Sequence, residues 1–374
     1  MPAPAWVALA WLLPALFAAG YYFALTVVGR VRHRPGPPPP AVPPLLGVLI
    51  PAHNEETTLA ATVTSVLGSD YPPDRLRVLV VADNCTDATA TVARRAGADV
   101  LERFDDVRRG KGYALEVGLA QLLAAGPEGV LILDADCELP PDALRCLSAD
   151  LSAGCDAVQA ARLPRNRGNS AAAVAAVGSS IENAVSAGRC RLGLPVALRG
   201  SGMLFSHRLL ERLPWRAYGL VEDAEYGANL ARNGVRIRFR PDVVVTGEVP
   251  ADAATLARQR TRWRTALWSG GPAALPGRWL ASKPLVLAHL AGTTAVVAGS
   301  AALLPAAWAV GLTAGLTWAL TMTAIVYAAA LAEVGGWRQV GPAAGLAVRL
   351  AGVTLAGAMG RPAAWERTRR LAEG

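Results

Sequence analysis

The chain has 374 residues, 52% of them hydrophobic, and a formal net charge of +8 carried almost wholly by arginine, since Lys111 and Lys283 are its only lysines. That apolar share is too high for an ordinary soluble protein, yet the middle of the chain is rich in charges and turn residues, so the excess is gathered near the two ends. The basic charge has no interleaved aromatic platform, which argues against nucleic acid as a partner and for the anionic surface of a bilayer.

Residues 5–29 form an uncharged stretch of about the length a bilayer needs. Arg30, Arg32, His33 and Arg34 follow it, the reverse of a cleavable signal's charge order. Residues 1–29 are therefore expected to stay as a transmembrane anchor, with the following part in the cytoplasm. A basic, proline-rich linker at 30–44 should be stiff and extended.

Short apolar runs then alternate with amphipathic ones: LLGVLI (45–50), a helical pattern over 57–67, RVLVVAD (77–83), a helix near 88–96, ADVLER (98–103), a helix over 112–125 and GVLILDAD (129–136). This rhythm predicts an α/β fold with a doubly wound, mostly parallel sheet, in which ligands sit at the carboxyl ends of the strands. Polar clusters stand at three of those ends: His53–Glu56, Asp83–Asp87 and Asp134–Asp136. Further strands are expected near 157–162 and 235–239, with a helix around 171–187, completing a cytoplasmic catalytic domain over 45–250. The stretch 251–284 combines arginines with Trp263, Trp268 and Trp279 and suits a helix lying in the membrane interface. Residues 285–332 are long enough for a two-helix transmembrane hairpin, bringing the expected spans to three. The last part, 333–374, holds an apolar segment at 340–360 that is either an interfacial helix or a further span, and then a basic tail. Five cysteines, 85, 137, 146, 155 and 190, lack metal-type spacing and are read as free thiols.

Asp134 and Asp136 offer hard oxygen ligands for Mg²⁺ or Mn²⁺ at a cleft mouth, and equally could cap a turn after a buried strand. Asp223 in VEDAEYG follows a Gly-Leu turn and opens a helical stretch, where it serves either as a general base or as a cap on the helix dipole. Arg262 and Trp263 in QRTRW supply a permanent cation and a stacking face, or simply an interfacial helix. Lys111 in RRGKGYAL is a compact charge in an arginine-rich chain. Ser201 and Gly202 in SGMLF permit close approach, or form an ordinary turn into a strand.

Taken in order, PAHNEE, ADNCTD, DAD, VED and QRTRW resemble the motifs of the membrane-bound family 2 inverting glycosyltransferases, over roughly residues 45–270. The resemblance implies the GT-A nucleotide-diphospho-sugar transferase fold joined to transmembrane helices, in an integral protein of the plasma membrane whose catalytic domain is cytoplasmic. It implies that Glu55, Asp83, Lys111 and Asp134 bind the donor nucleotide, that Asp136 with Asp134 ligates metal, and that Asp223 is the base. Arg262 and Trp263 would complete the catalytic set, and Ser201, Gly202, Glu222 and Trp263 would border the acceptor. The implied partners are a UDP-sugar donor, a lipid or glycan acceptor and the bilayer, and the implied bond is β-glycosidic. QRTRW also occurs in processive polysaccharide synthases of the chitin, hyaluronan or poly-N-acetylglucosamine type, although three helices are few for a translocation channel. A non-catalytic nucleotide-binding scaffold is a third reading. Asn84, Cys85 and Cys137 depart from the usual pattern, which leaves the fold reading intact and the donor's identity open.

Overall fold

The computed structural model describes residues 3–31, 36–165, 170–249 and 283–335. The QRTRW stretch, with Arg262 and Trp263, lies outside the described residues, as do all but the last two residues of the expected interface segment over 251–284 and the tail from 336 onward. In chain order the elements are α1 (Ala3–Arg30), β1 (Leu46–Ala52), α2 (Leu59–Leu67), β2 (Leu76–Asp83), α3 (Thr89–Arg95), β3 (Asp99–Arg103), α4 (Lys111–Ala124) and β4 (Gly129–Ile132). There follow β5 (Cys137–Glu138), α5 (Ala143–Ser152), β6 (Ala157–Pro164), α6 (Ser170–Arg191), β7 (Met203–Ser206), α7 (His207–Arg212), α8 (Glu222–Arg232), β8 (Ile237–Gly247), α9 (Lys283–Ala301) and α10 (Ala306–Val334). They fall into two compact units.

The first unit, residues 36–165 and 189–249 among those described, is built on an eight-stranded sheet in the order β3-β2-β1-β4-β7-β6-β8-β5. The β3-β2-β1-β4 half is parallel throughout, as the alternating pattern predicts. Beyond it β7 runs antiparallel to both β4 and β6, while β6 and β8 pair in parallel. At its centre the sheet is covered on both faces: β1 and β4 read as continuous apolar runs and are buried almost throughout. Chain order reverses at β1, with β2 on one side and β4 on the other, and in sheets of this kind a ligand sits at the carboxyl ends of the strands at that reversal.

The second unit holds α1, α9, α10 and the part of α6 up to Gly188. The expected catalytic domain over 45–250 is thus interrupted: the alanine-rich α6 buries Ala176, Val177 and Ile181 against Val326, Ala330 and Val334 of α10. Glycines let α1 and α6 cross closely, since a Cβ on Gly29 would stand 1.9 Å from Ala184 O and one on Gly188 would stand 2.2 Å from Leu25 O. Where they meet, Arg30 Nη2 bonds Ser180 Oγ (3.1 Å) and Glu333 Oε2 (2.8 Å). Helices α1 and α10 are long and apolar enough to cross a membrane; the apolar part of α9, Val286–Ala301, is shorter. Two of the three expected spans therefore have full length among the described residues.

Candidate active site

Strand β4 stops at Ile132 and the chain turns at once, which places Asp134 and Asp136 on a tight turn ahead of β5. The turn is pinned from beneath. Asp134 N donates to Ser201 Oγ (3.0 Å), Ser201 O accepts from Gln159 Nε2 (2.9 Å), and Gln159 Oε1 accepts from Arg199 N (2.9 Å). Ser201 and Gln159 are fully buried, so each bond lies where an unmade one would be costly. Gly200 and Gly202 flank the serine with φ of +75° and +69°, a backbone that L side chains rarely adopt. A Cβ on Gly202 would also stand 2.9 Å from Val245 and 3.0 Å from Ala160.

Two cations grip Asp134, one at each oxygen. Lys111, the first residue of α4, sets Nζ 2.7 Å from Asp134 Oδ1, 2.7 Å from Gly200 O and 3.1 Å from Glu222 Oε1. Arg162, on β6, sets Nη2 3.6 Å from Asp134 Oδ2 and 3.7 Å from Cys137 Sγ. Asp223 stands in the first turn of α8, where Oδ1 accepts from Ala224 N (2.8 Å). Its Oδ2 approaches the same glycine as the lysine: the position of a Cβ on Gly200 lies 3.5 Å from Asp223 Oδ2 and 3.5 Å from Lys111 Nζ. Four carboxylates, Asp134, Asp136, Glu222 and Asp223, are thereby gathered with two cations, Lys111 and Arg162.

Burial and the neighbouring Glu222 charge raise the Asp223 carboxyl from its ordinary 3.8 to about 6, against the opposing pull of Lys111. Burial works against the charge on Lys111, but Asp134, Glu222 and Asp223 outweigh it and leave the ammonium well above its usual range. Burial also raises the Cys137 thiol, helped by Asp136. That thiol is fully buried and faces Asp136 Oδ1 at 3.4 Å.

The donor set suits a divalent cation. Asp134, Asp136 and Cys137 offer ligand atoms within 4.8 Å of one another, and the two carboxylates are the hard donors that Mg²⁺ and Mn²⁺ prefer. With two more acids than bases in the cluster, a charge of +2 would bring it close to neutrality.

Glu55 and Asp83 lie at the ends of β1 and β2, each with local partners. Glu55 Oε2 accepts from Thr58 Oγ1 (2.9 Å). Asp83 and Arg103 are direct register partners on adjacent strands, and Asp83 Oδ1 accepts from Arg103 Nη1 at 2.6 Å. The Arg103 guanidinium lies 5.8 Å from the centre of the Tyr113 ring, which stacks on Tyr218 at 4.5 Å. Through α4 this aromatic pair joins the Asp83 end of the crevice to the loop that leads into Glu222 and Asp223.

Sequence reasoning missed Arg162, Gln159 and Arg103. Arg162 sits in a run of arginines in a chain where nearly every cation is an arginine, and it is distinguished only by the strand pairing that faces it toward Asp134. Gln159 lies in the apolar start of β6 and could have been flagged as a buried polar residue in need of partners.

A family model described as "Glycosyltransferase like family 2" matches residues 43–266, more than half of the chain. The chain is 27% identical over 237 residues to the probable glycosyltransferase YdaM of Bacillus subtilis, covering 59% of this chain and 54% of that one. It is 26% identical over 276 residues to a beta-monoglucosyldiacylglycerol synthase of Synechocystis, covering 69% and 56%. The chain thus spans about half the length of these curated relatives. Among solved structures, a mannosyltransferase from Pyrobaculum calidifontis, determined with GDP-Man and Mn²⁺, aligns with TM-score 0.60 over 90% of this chain and 99% of that one at 24% identity, a likeness of fold.

Proposed function

The chain belongs to the family 2 glycosyltransferases, and on that premise we propose that it is an integral membrane enzyme transferring one sugar, or a few, from a UDP-sugar to a lipid or lipid-linked acceptor with inversion, forming a β-glycosidic bond. The observation that carries this reading is the convergence of Asp134, Asp136, Glu222 and Asp223 with Lys111 and Arg162 at the carboxyl end of β4. A site that only binds a nucleotide has no use for a buried carboxylate poised near neutrality beside a set of metal-type donors.

Asp136 with Asp134 would hold Mg²⁺ or Mn²⁺, whose charge offsets that of the donor diphosphate as it leaves. Lys111 holds Asp134 in place and adds a fixed positive charge beside it. Glu55 and Asp83 would meet the nucleoside end of the donor. Asp223 would take the proton from the acceptor hydroxyl; raised to about 6, it is ionised at pH 7 yet basic enough to accept that proton. Arg262 and Trp263 would close the site over the departing diphosphate. Ser201 and Gly202 bear on the acceptor side mainly by fixing the turn that carries Asp134, and Glu222 by orienting Lys111.

The second unit supports a lipid acceptor. Trp6, Leu13 and Phe17 of α1 and Val310 and Trp318 of α10 expose large apolar side chains on helices of membrane-spanning length, the arrangement expected where lipid is the solvent. The glycolipid-forming relative in Synechocystis agrees with it. The test is a screen of radiolabelled UDP-sugars with total membrane lipid and detergent-solubilised full chain, with and without Mn²⁺. Metal-dependent labelling of a lipid is expected. Tight UDP binding without transfer from any donor would favour a scaffold, and long polymer on one acceptor would favour a processive synthase.

A further inference from the structure

We propose that Arg162 is a donor-recognition residue whose guanidinium binds the diphosphate of the nucleotide from the side of Asp134 opposite Lys111. The inference deepens the glycosyltransferase reading and rests on it. Three observations carry it. First, position: Lys111 meets Asp134 Oδ1 while Arg162 approaches Oδ2, so two cations flank the carboxylate that leads the metal-type turn. Second, geometry: Arg162 Nη2 stands 3.6 Å from Asp134 Oδ2 and 3.7 Å from Cys137 Sγ, so the guanidinium reaches the metal-type turn itself. The Arg162 side chain keeps 27% of its exposure there, so it lines the open side of that turn. Third, chemistry: a guanidinium is always charged in a protein, and this one stands at the turn whose acidic residues would hold the metal. A lysine is a point charge, but arginine offers a planar fork matched to two phosphate oxygens, which gives the two flanking cations different tasks.

A merely structural Arg162 would orient Asp134, and metal affinity and nucleotide affinity would then fall together. The proposed role separates them. Mn²⁺ binding is followed by the electron paramagnetic resonance signal of free Mn²⁺, and UDP binding in saturating Mn²⁺ by calorimetry, on detergent-solubilised full chain. Arg162→Gln should weaken UDP roughly 10- to 100-fold, the worth of lost charge-assisted hydrogen bonds. It should leave Mn²⁺ alone bound as well as or better than before, because a positive charge near the carboxylates has gone. Arg162→Lys, which keeps the charge and loses the fork, should fall between wild type and Gln for UDP and match wild type for Mn²⁺. Unchanged UDP affinity in Arg162→Gln, or Mn²⁺ and UDP weakened in step, would overturn the proposal. Wild-type chain that binds Mn²⁺ but no UDP would overturn the donor reading beneath it as well.

Discussion

Glu222→Gln should move the acid limb of the pH–rate profile to lower pH. The Asp223 carboxyl is lifted from 3.8 to about 6, first by burial and next by the like charge of Glu222, with Lys111 pulling the other way. Lys111 also pairs with Glu222 at 3.1 Å. Neutralising Glu222 removes a repulsion and leaves the ammonium to act more fully on Asp223, so both effects lower its pKa. Burial is the larger cause of the rise and Glu222 the next, so removing the Glu222 charge lowers the Asp223 pKa without returning it to its ordinary value. The sign follows from the role: a base must be ionised, so wild-type turnover should be full above about pH 7, fall through pH 6 and decline tenfold per unit below it. In Glu222→Gln the same curve should lie at lower pH. The assay is transfer of labelled sugar to lipid between pH 4.5 and 8.5, with metal and donor saturating. A limb that stays in place, or moves upward, would refute the coupling and with it the assignment of Asp223 as the titrating base.

Asp223→Asn should leave UDP binding nearly unchanged while lowering turnover roughly 10²-fold or more, as read from kcat and from UDP titration; full activity would mean that another group is the base. Asp136→Ala should abolish Mn²⁺-dependent UDP binding, and retained binding would contradict its role as a ligand. Ser201→Ala should cost about 1–3 kcal/mol by leaving Asp134 N without its buried acceptor, measured by thermal or denaturant unfolding. Gly188→Leu should separate α1 from α6, since even a Cβ would stand 2.2 Å from Leu25 O; a large loss of folded protein in detergent is expected, and normal stability would refute the close crossing.

The parallel half of the sheet was legible because each of its strands is a short apolar run set off by an amphipathic helix, and that periodicity is local. The antiparallel insertion of β7 between β4 and β6 was not, because pairing between distant segments leaves no mark on either one. Asp134, Asp136 and Asp223 could be named from their places at strand and helix ends, and the fold brings them together. Arg162 could not, since its importance arises only where β6 meets the turn after β4. The same holds for α6: its small, apolar residues read equally well as a core helix of the catalytic domain, and only the glycine-lined crossing with α1 assigns it to the helical unit.

The proposed reaction is a direct displacement at the sugar by an acceptor that Asp223 deprotonates. The anomeric configuration of the glycolipid product, read by proton NMR from the coupling at the anomeric carbon, tests this most directly. From an α-linked UDP-hexose the product should be the β-glycoside, formed only with Mg²⁺ or Mn²⁺ present and not by Asp223→Asn. An α-linked product, or β-product made equally well by that variant, would contradict it.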